Sequence, residues 1–276
     1  MHQKTTDTTD YRCLICGSVT RSRRYRNHVY LQCTSCRFRH VPSSSTGNLY
    51  ENNIVSTIEY YKSRIDVDRR DFLERLQWIK PHIGVGSVLD VGANIGTFCI
   101  TAKELGWKPV ALELNQNGVK HCQALGLEIL DRPLSELSPR KFDFIHLSDV
   151  IEHAQDPKAL LQSALAFLRR GGIVFISTPD FGNPAVWPIQ FTPPEHLSLF
   201  TKKNLLTLLE SQGLRHLALR RRSRTRAFSP ESRNIKEFPW IGKAYRMIES
   251  LDVKDFVFAT INFVFRENLE VIAKLE

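Results

Sequence analysis

Two sets of residues in this 276-residue chain have the types and spacing that chemistry requires. The first is Val88-Leu89-Asp90-Val91-Gly92-Ala93-Asn94-Ile95-Gly96-Thr97-Phe98, an apolar run that enters a glycine turn and then a helical pattern, with Glu113 ending the next apolar run, Pro109 to Leu112. A residue without Cβ permits positive φ and close backbone approach, and open α/β sheets bind ligands at the carboxyl ends of strands, so this is the pattern of an adenosine-cofactor site. Glu113, about 20 residues past the glycines, is placed to accept hydrogen bonds from both ribose hydroxyls. The second set is Cys13-Leu14-Ile15-Cys16 and Cys33-Thr34-Ser35-Cys36, two C-x2-C pairs separated by sixteen residues. Each pair is a knuckle presenting two thiolates to one tetrahedral ion, and four thiolates leave no position for water or substrate, so a zinc ion held here is structural. Disulfides are the alternative use of the same four residues. Cys99 and Cys122 read as small buried apolar residues.

A dinucleotide loop wants three glycines so that a pyrophosphate can sit on a helix N-terminus. Here Gly92 and Gly96 flank Asn94, and Asp90 stands just ahead. An acid there repels a pyrophosphate and welcomes an ammonium, which suits the methionyl amino group of S-adenosylmethionine, directly or through water. At this point the chain resembles the class I S-adenosylmethionine-dependent methyltransferases. The resemblance implies that Gly92, Asn94 and Gly96 admit the methionyl tail and that Glu113 holds the ribose. It also puts Asp131 where the family contacts the adenine amine, with plain surface polarity as the other reading, and adds Ser148 to the cofactor-binding set. Tyr60, Tyr61 and Arg64 fall in a lead-in helix that caps the pocket in related enzymes.

The run Ser148-Asp149-Val150-Ile151-Glu152-His153 narrows the resemblance to the ubiquinone-type and small-molecule O-methyltransferase branch. Spacings of three and four put Asp149, Glu152 and His153 on one face if the segment is helical. Such a face could bind a divalent cation, as in ubiquinone-pathway relatives, or supply His153 as a base; a helix-capping cluster is the structural alternative. Glu195-His196-Leu197, followed by Phe200 and Thr201, is similar to the zinc-ribbon-bearing members of that branch. There His196 is either a second catalytic histidine or a residue packed under a stiff proline-rich lid. Methyl transfer from a sulfonium is an in-line displacement that needs chiefly proximity, plus a base where the acceptor oxygen keeps its proton. Ser148 to Ile151 is not the Asn/Asp-Pro-Pro-aromatic tetrad of exocyclic-amine methylases, which argues against base amino-group chemistry.

The elements that must position these residues follow from periodicity. Apolar residues at helical spacing from Ile54 to Ile79 lead into a strand at Ser87 to Val91, after which strands and helices alternate. Strands are expected at 109–112, 128–130, 142–147, 172–177, 214–219 and 269–275, with helices at 115–125, 157–168 and 202–212. This is an α/β, doubly wound, mostly parallel seven-stranded Rossmann-like sheet with a small N-terminal zinc ribbon. The expected division is a ribbon and linker at 1–48 and a methyltransferase domain at 49–276, with a helical insertion at about 227–266. Residues 241–265 of that insertion could cover the substrate mouth, dimerise or rest on a membrane surface. With 42% hydrophobic residues the chain can fill a core. It has no transmembrane run and a polar start, so a cytoplasmic protein is expected. The net charge of +9 favours anionic partners. An anionic or phosphorylated small-molecule acceptor is the first reading, methylated on an oxygen of a sugar, quinone-like or secondary-metabolite group. The alternatives are a zinc-ribbon ribosomal RNA methyltransferase, which the Arg220 to Arg226 run permits, and a non-enzymatic binding module. Arg21, Arg23, Arg24 and Arg26 between the knuckles read as a solvated face before they read as a phosphate contact.

Overall fold

The computed structural model describes residues 11–42, 58–222 and 268–276. The main sheet holds β4 (Ser87–Val91), β5 (Lys108–Leu112), β6 (Ile129–Leu130), β7 (Phe142–Ser148), β8 (Leu168–Pro179), β10 (Leu214–Arg222) and β11 (Asn268–Leu275). Their order is β10-β11-β8-β7-β4-β5-β6, and β11 alone pairs antiparallel with both neighbours. The chain lays down β4, β5 and β6 outward, then returns to place β7 on the far side of β4. That reversal is the switch point where open α/β sheets form a crevice, and it sets the loops after β4 and β7 side by side.

Alternation with period two decides which side chains face which layer. Leu89, Val91, Ile145, Leu147, Val174 and Ile176 are buried with Leu161 and Ala164 of α5 (Pro157–Leu165) and with Leu205, Leu208 and Leu209 of α7 (Lys202–Glu210). Val88, Ala111, Phe144, Phe175 and Ile272 face the other layer. There they meet α2 (Ile65–Ile79), which follows the short α1 (Ile58–Lys62), together with α3 (Thr97–Glu104) and α4 (Gln116–Ala124). Helices on both faces make the sheet doubly wound, as the sequence led us to expect.

Several boundaries move, two of them around β8. The helix expected to reach 168 ends at Leu165 because β8 begins at Leu168, opposite Phe142. The strand expected to start at Gly172 starts at Leu168, so Gly171 and Gly172 sit inside β8 at a register shift; Gly171 has φ +72°, and a Cβ on Gly172 would lie 2.9 Å from two backbone carbonyl oxygens. The insertion at 227–266 and the linker at 43–48 lie outside the described residues.

A second sheet of four strands, β1 (Thr20–Tyr25), β2 (His28–Cys33), β3 (Arg39–His40) and β9 (Ser198–Leu199), is antiparallel throughout. Its first three strands belong to the cysteine module, but β9 comes from the segment after β8. Arg39 pairs with Leu199 and His40 with Ser198. The cysteine module thus ends its sheet on a strand from the other side of the expected boundary at 48. Between β8 and β9 runs a covering segment that includes α6 (Trp187–Gln190).

Candidate functional site

The glycine loop is built from three left-handed residues, Gly92, Asn94 and Gly96, at φ 77°, 54° and 79°. A Cβ on Gly92 would lie 2.7 Å from Val150 Cγ2, and one on Gly96 2.6 Å from Leu127 Cδ1, so conformation and packing both demand glycine. Asn94 tolerates the same conformation as a short polar side chain. Its N–H donates to Glu113 Oε2 at 2.7 Å, while Leu114 and Asn115 N–H donate to Oε1 at 2.9 and 2.8 Å. Glu113 therefore ties the loop to the end of β5, and a carboxylate with about four lone-pair positions keeps room on Oε2 for a ribose hydroxyl. Gly118, which the sequence did not single out, allows α4 to approach: a Cβ there would sit 2.8 Å from both Asn94 O and Glu113 Cγ.

Asp90, expected near a methionyl amine directly or through water, sits beneath the loop. Asp90 is buried, its Oδ1 accepts from His146 Nδ1 at 2.7 Å, and Cys99 Sγ stands 3.6 Å from Oδ2. His146 lies between Phe98 and Phe175, stacked at ring-centroid distances of 3.8 and 5.2 Å, and burial holds its pKa below the ordinary value. The pair pins β4 to β7 beneath the loop. Ser148 is likewise engaged, accepting from Arg75 at 2.8 Å and donating to Asp149 Oδ2 at 3.0 Å. Asp131 is exposed just past β6.

Beyond β7 the segment is not the helix that the spacing argument needed. Asp149 has φ +56° and precedes a single 3-10 turn, Ile151–His153. Its Oδ1 accepts from Asn268 at 3.2 Å. The cation set expected as Asp149, Glu152 and His153 is corrected accordingly: among the described residues, the second group after the four cysteines whose ligand atoms all lie within 4.8 Å of one another is Glu152, His153 and His196. Glu152 is 1% exposed, neither carboxylate oxygen makes a hydrogen bond of full geometry, and burial, only partly offset by its own backbone and the Thr178 hydroxyl, pushes its pKa up to about 8. His153 Nδ1 donates to Glu195 O at 2.8 Å and His196 Nδ1 to Gln190 O, which leaves both Nε2 lone pairs available. The rings stand 4.9 Å apart. Burial lowers the His153 pKa, and burial together with the neighbouring His153 pushes His196 down to about 3, so both imidazoles are neutral near pH 7. A Leu197 N–H to Glu152 O bond of 2.9 Å joins the two loops.

The cysteine knuckles are near copies. Cys13 N–H donates to Ser18 O and Cys33 N–H to Phe38 O, and the residue after each second cysteine, Gly17 or Arg37, is left-handed. All six cysteines are free thiols, with Cys13–Cys36 and Cys16–Cys33 Sγ distances of 3.6 and 3.5 Å. A disulfide needs about 2.05 Å, whereas four thiolates around one zinc lie ~3.8 Å apart at the usual bond length of about 2.3 Å. The arrangement fits a tetrahedral ion.

Sequence reasoning missed a buried charge network. Arg75, 3% exposed, donates to Glu270 at 2.7 Å, and Arg220 does so from the other side, also at 2.7 Å. Burial raises the Glu270 pKa, yet Arg75, Arg220 and Arg222 together hold it below its ordinary value. Arg222 also pairs with Asp71 and Glu74, and Arg221 with Asp180. The signal was a glutamate inside the apolar run Leu269 to Ala273, since a buried charge demands a partner.

Known proteins share this frame. An S-adenosylmethionine-dependent methyltransferase from Archaeoglobus fulgidus superposes with a TM-score of 0.54 at 19% identity, covering 78% of this chain and 99% of that one. A magnesium protoporphyrin IX methyltransferase from Synechocystis PCC 6803, solved with bound SAH, gives 0.51 at 11% identity over 82% and 91% of the two chains. In sequence, a ubiquinone biosynthesis O-methyltransferase from Leptothrix cholodnii is 27% identical over 117 residues, 38% of this chain and 50% of that protein. The chain spans about half the length of the curated relatives it matches. A model described as a methyltransferase domain matches residues 61–219, from the lead-in helix to β10, and the chain belongs to that family.

Proposed function

We propose that this protein transfers a methyl group from S-adenosylmethionine to an oxygen of a small-molecule acceptor, a sugar, quinone-like or secondary-metabolite group. The observation that carries the reading is the Glu152, His153 and His196 cluster, which lies beyond the carboxyl ends of β7 and β8, with Glu152 two residues after the Val150 whose Cγ2 faces Gly92. Gly92, Asn94, Gly96 and Glu113 hold the cofactor, with Asp131 on the adenine side and Ser148 and Asp90 bracing the loops. Displacement at the sulfonium carbon needs the acceptor oxygen in line behind the methyl, and an imidazole Nε2 that is neutral and unprotonated can take its proton. The same three side chains also suit a divalent cation, which when bound supplies Lewis-acid activation of the acceptor oxygen. Cys13, Cys16, Cys33 and Cys36 hold a structural zinc.

The acceptor is anionic on this reading. Residues 11–42 contain arginines 12, 21, 23, 24, 26, 37 and 39 and no acid, so most of the net charge of +9 lies in the cysteine module. The Arg220 to Arg226 run lends the ribosomal RNA reading less support, because Arg220, Arg221 and Arg222 pair with acids; Arg224 and Arg226 lie outside the described residues. Calorimetric titration with S-adenosylmethionine tests the core of the proposal, and absence of binding would leave only a binding module. Affinity for RNA falling steeply with salt would instead favour the nucleic-acid reading.

A further inference from the structure

We infer that the cysteine module is a wall of the acceptor site, and that metal held by Cys13, Cys16, Cys33 and Cys36 seats His196 through the covering segment 181–199. This rests on the proposed acceptor site and deepens it, by making the module a positioning element.

The physical path is continuous. Cys33 ends β2, and its N–H closes the second knuckle on Phe38 O, so a metal that fixes Cys33 and Cys36 fixes the start of β3. Phe38 packs on Phe200 at 5.3 Å between ring centroids, and Arg39 and His40 pair with Leu199 and Ser198. Val41 N–H donates to Leu197 O at 2.8 Å, which brings the ladder to within one residue of His196. Ser198 Oγ also reaches Ala154 O, next to His153, at 3.4 Å.

A second set of contacts clamps the covering segment from outside. The Arg39 guanidinium lies 4.9 Å from the Trp187 ring centroid and donates to Phe181 O at 3.3 Å. Tyr25 of β1 stands edge-on to Trp187 and Phe191 at 5.2 and 5.3 Å, and Tyr30 of β2 packs on the same two rings. Val41, Phe181, Val186, Phe191, Leu197 and Leu199 form one buried cluster shared by the module and the covering segment. The carbonyl that orients the His196 ring belongs to Gln190, the residue before Phe191. Release of this cluster frees the acceptor that sets the imidazole.

None of these contacts touches the glycine loop or Glu113 directly. The module also shares the main core, through Cys13, Ile15, Cys33, Cys36 and Phe38, with Leu89, Val91 and Leu112, so unseating it disturbs the acceptor side first and the cofactor side less.

The full-length chain with zinc bound is compared with the same chain after zinc removal by a chelator, and with Arg39→Ala, which keeps all four cysteines. Three readouts are taken: hydrogen exchange of peptides covering 184–199 and 88–118, the rate of diethyl pyrocarbonate modification at His196, and calorimetric affinity for S-adenosylmethionine. Zinc removal should raise exchange in 184–199 and His196 modification several-fold, with exchange in 88–118 and cofactor affinity within twofold of the starting protein. Arg39→Ala should move the same readouts in the same direction with zinc content unchanged, and Trp187→Phe, which retains a ring under the guanidinium, should stay closer to the parent than Trp187→Ala. Unchanged protection of 184–199 and His196 without zinc would overturn the inference. So would loss of protection in both regions together, which would mean general unfolding rather than a path. If S-adenosylmethionine binds neither form, the proposed function fails independently of this result.

Discussion

Glu152 is the residue whose surroundings ask most of it, since its carboxyl is buried and its oxygens make no hydrogen bond of full geometry. Its pKa is raised from 4.5 to about 8, so its contribution to stability is complete below pH 4.5 and is lost as pH rises through the window to about 8. At ~1.4 kcal/mol per pH unit the loss over this window reaches on the order of 5 kcal/mol. Glu152→Gln should therefore gain Tm over the parent progressively between pH 5 and 8 in chelator-treated protein, with no difference in trend below pH 4.5. A divalent cation that abolishes this trend in the parent alone would mark Glu152 as its ligand. For the histidines, His153→Ala and His196→Ala should lower turnover at least tenfold with cofactor affinity nearly intact, because neither touches the glycine loop. With His196 down at about 3 and His153 also lowered, kcat should hold as pH falls from 7 to 6, over which an ordinary histidine base goes from mostly neutral to mostly protonated. Glu113→Ala should weaken S-adenosylmethionine binding by roughly tenfold or more in calorimetry, through loss of an ionised hydrogen-bond acceptor.

At the scale of elements, Gly96→Ala should cost roughly 2–4 kcal/mol in urea or thermal unfolding, because it adds strain at φ +79° to a 2.6 Å contact with Leu127. The strands of the main sheet were legible because short apolar runs bounded by turn residues alternate with longer helical patterns. The glycine loop and Glu113 were legible for the same reason, since they sit at strand ends. Less was legible where tertiary contacts decide. The spacing of Asp149, Glu152 and His153 fits a helix, yet one left-handed residue and a single 3-10 turn send Asp149 to Asn268 and bring His196 in its place. His146 reads as one polar residue in an apolar strand, and only the neighbouring strand reveals Asp90 as its partner. A two-residue strand such as β9, placed after a proline-rich segment, carries no periodicity at all.

For the whole molecule, the metal test is the simplest. Cys36→Ser should lower zinc content measured by elemental analysis and depress Tm, since a structural ion contributes its binding energy to folding. Chelation should act on the parent in the same direction. Among the described residues no helix is long and apolar enough to cross a membrane. The pairing of β3 with β9 has a further consequence for the history of each molecule. Arg39 and its partner Leu199 stand 160 positions apart in the chain. At a synthesis rate of about 5–20 residues per second, the cysteine module waits roughly 8–30 s on the ribosome before its last strand emerges. For that interval β3 is an open sheet edge, with unpaired backbone groups and the Phe38 ring lacking Phe200, so the nascent chain carries its greatest risk of misassociation early and sheds it late.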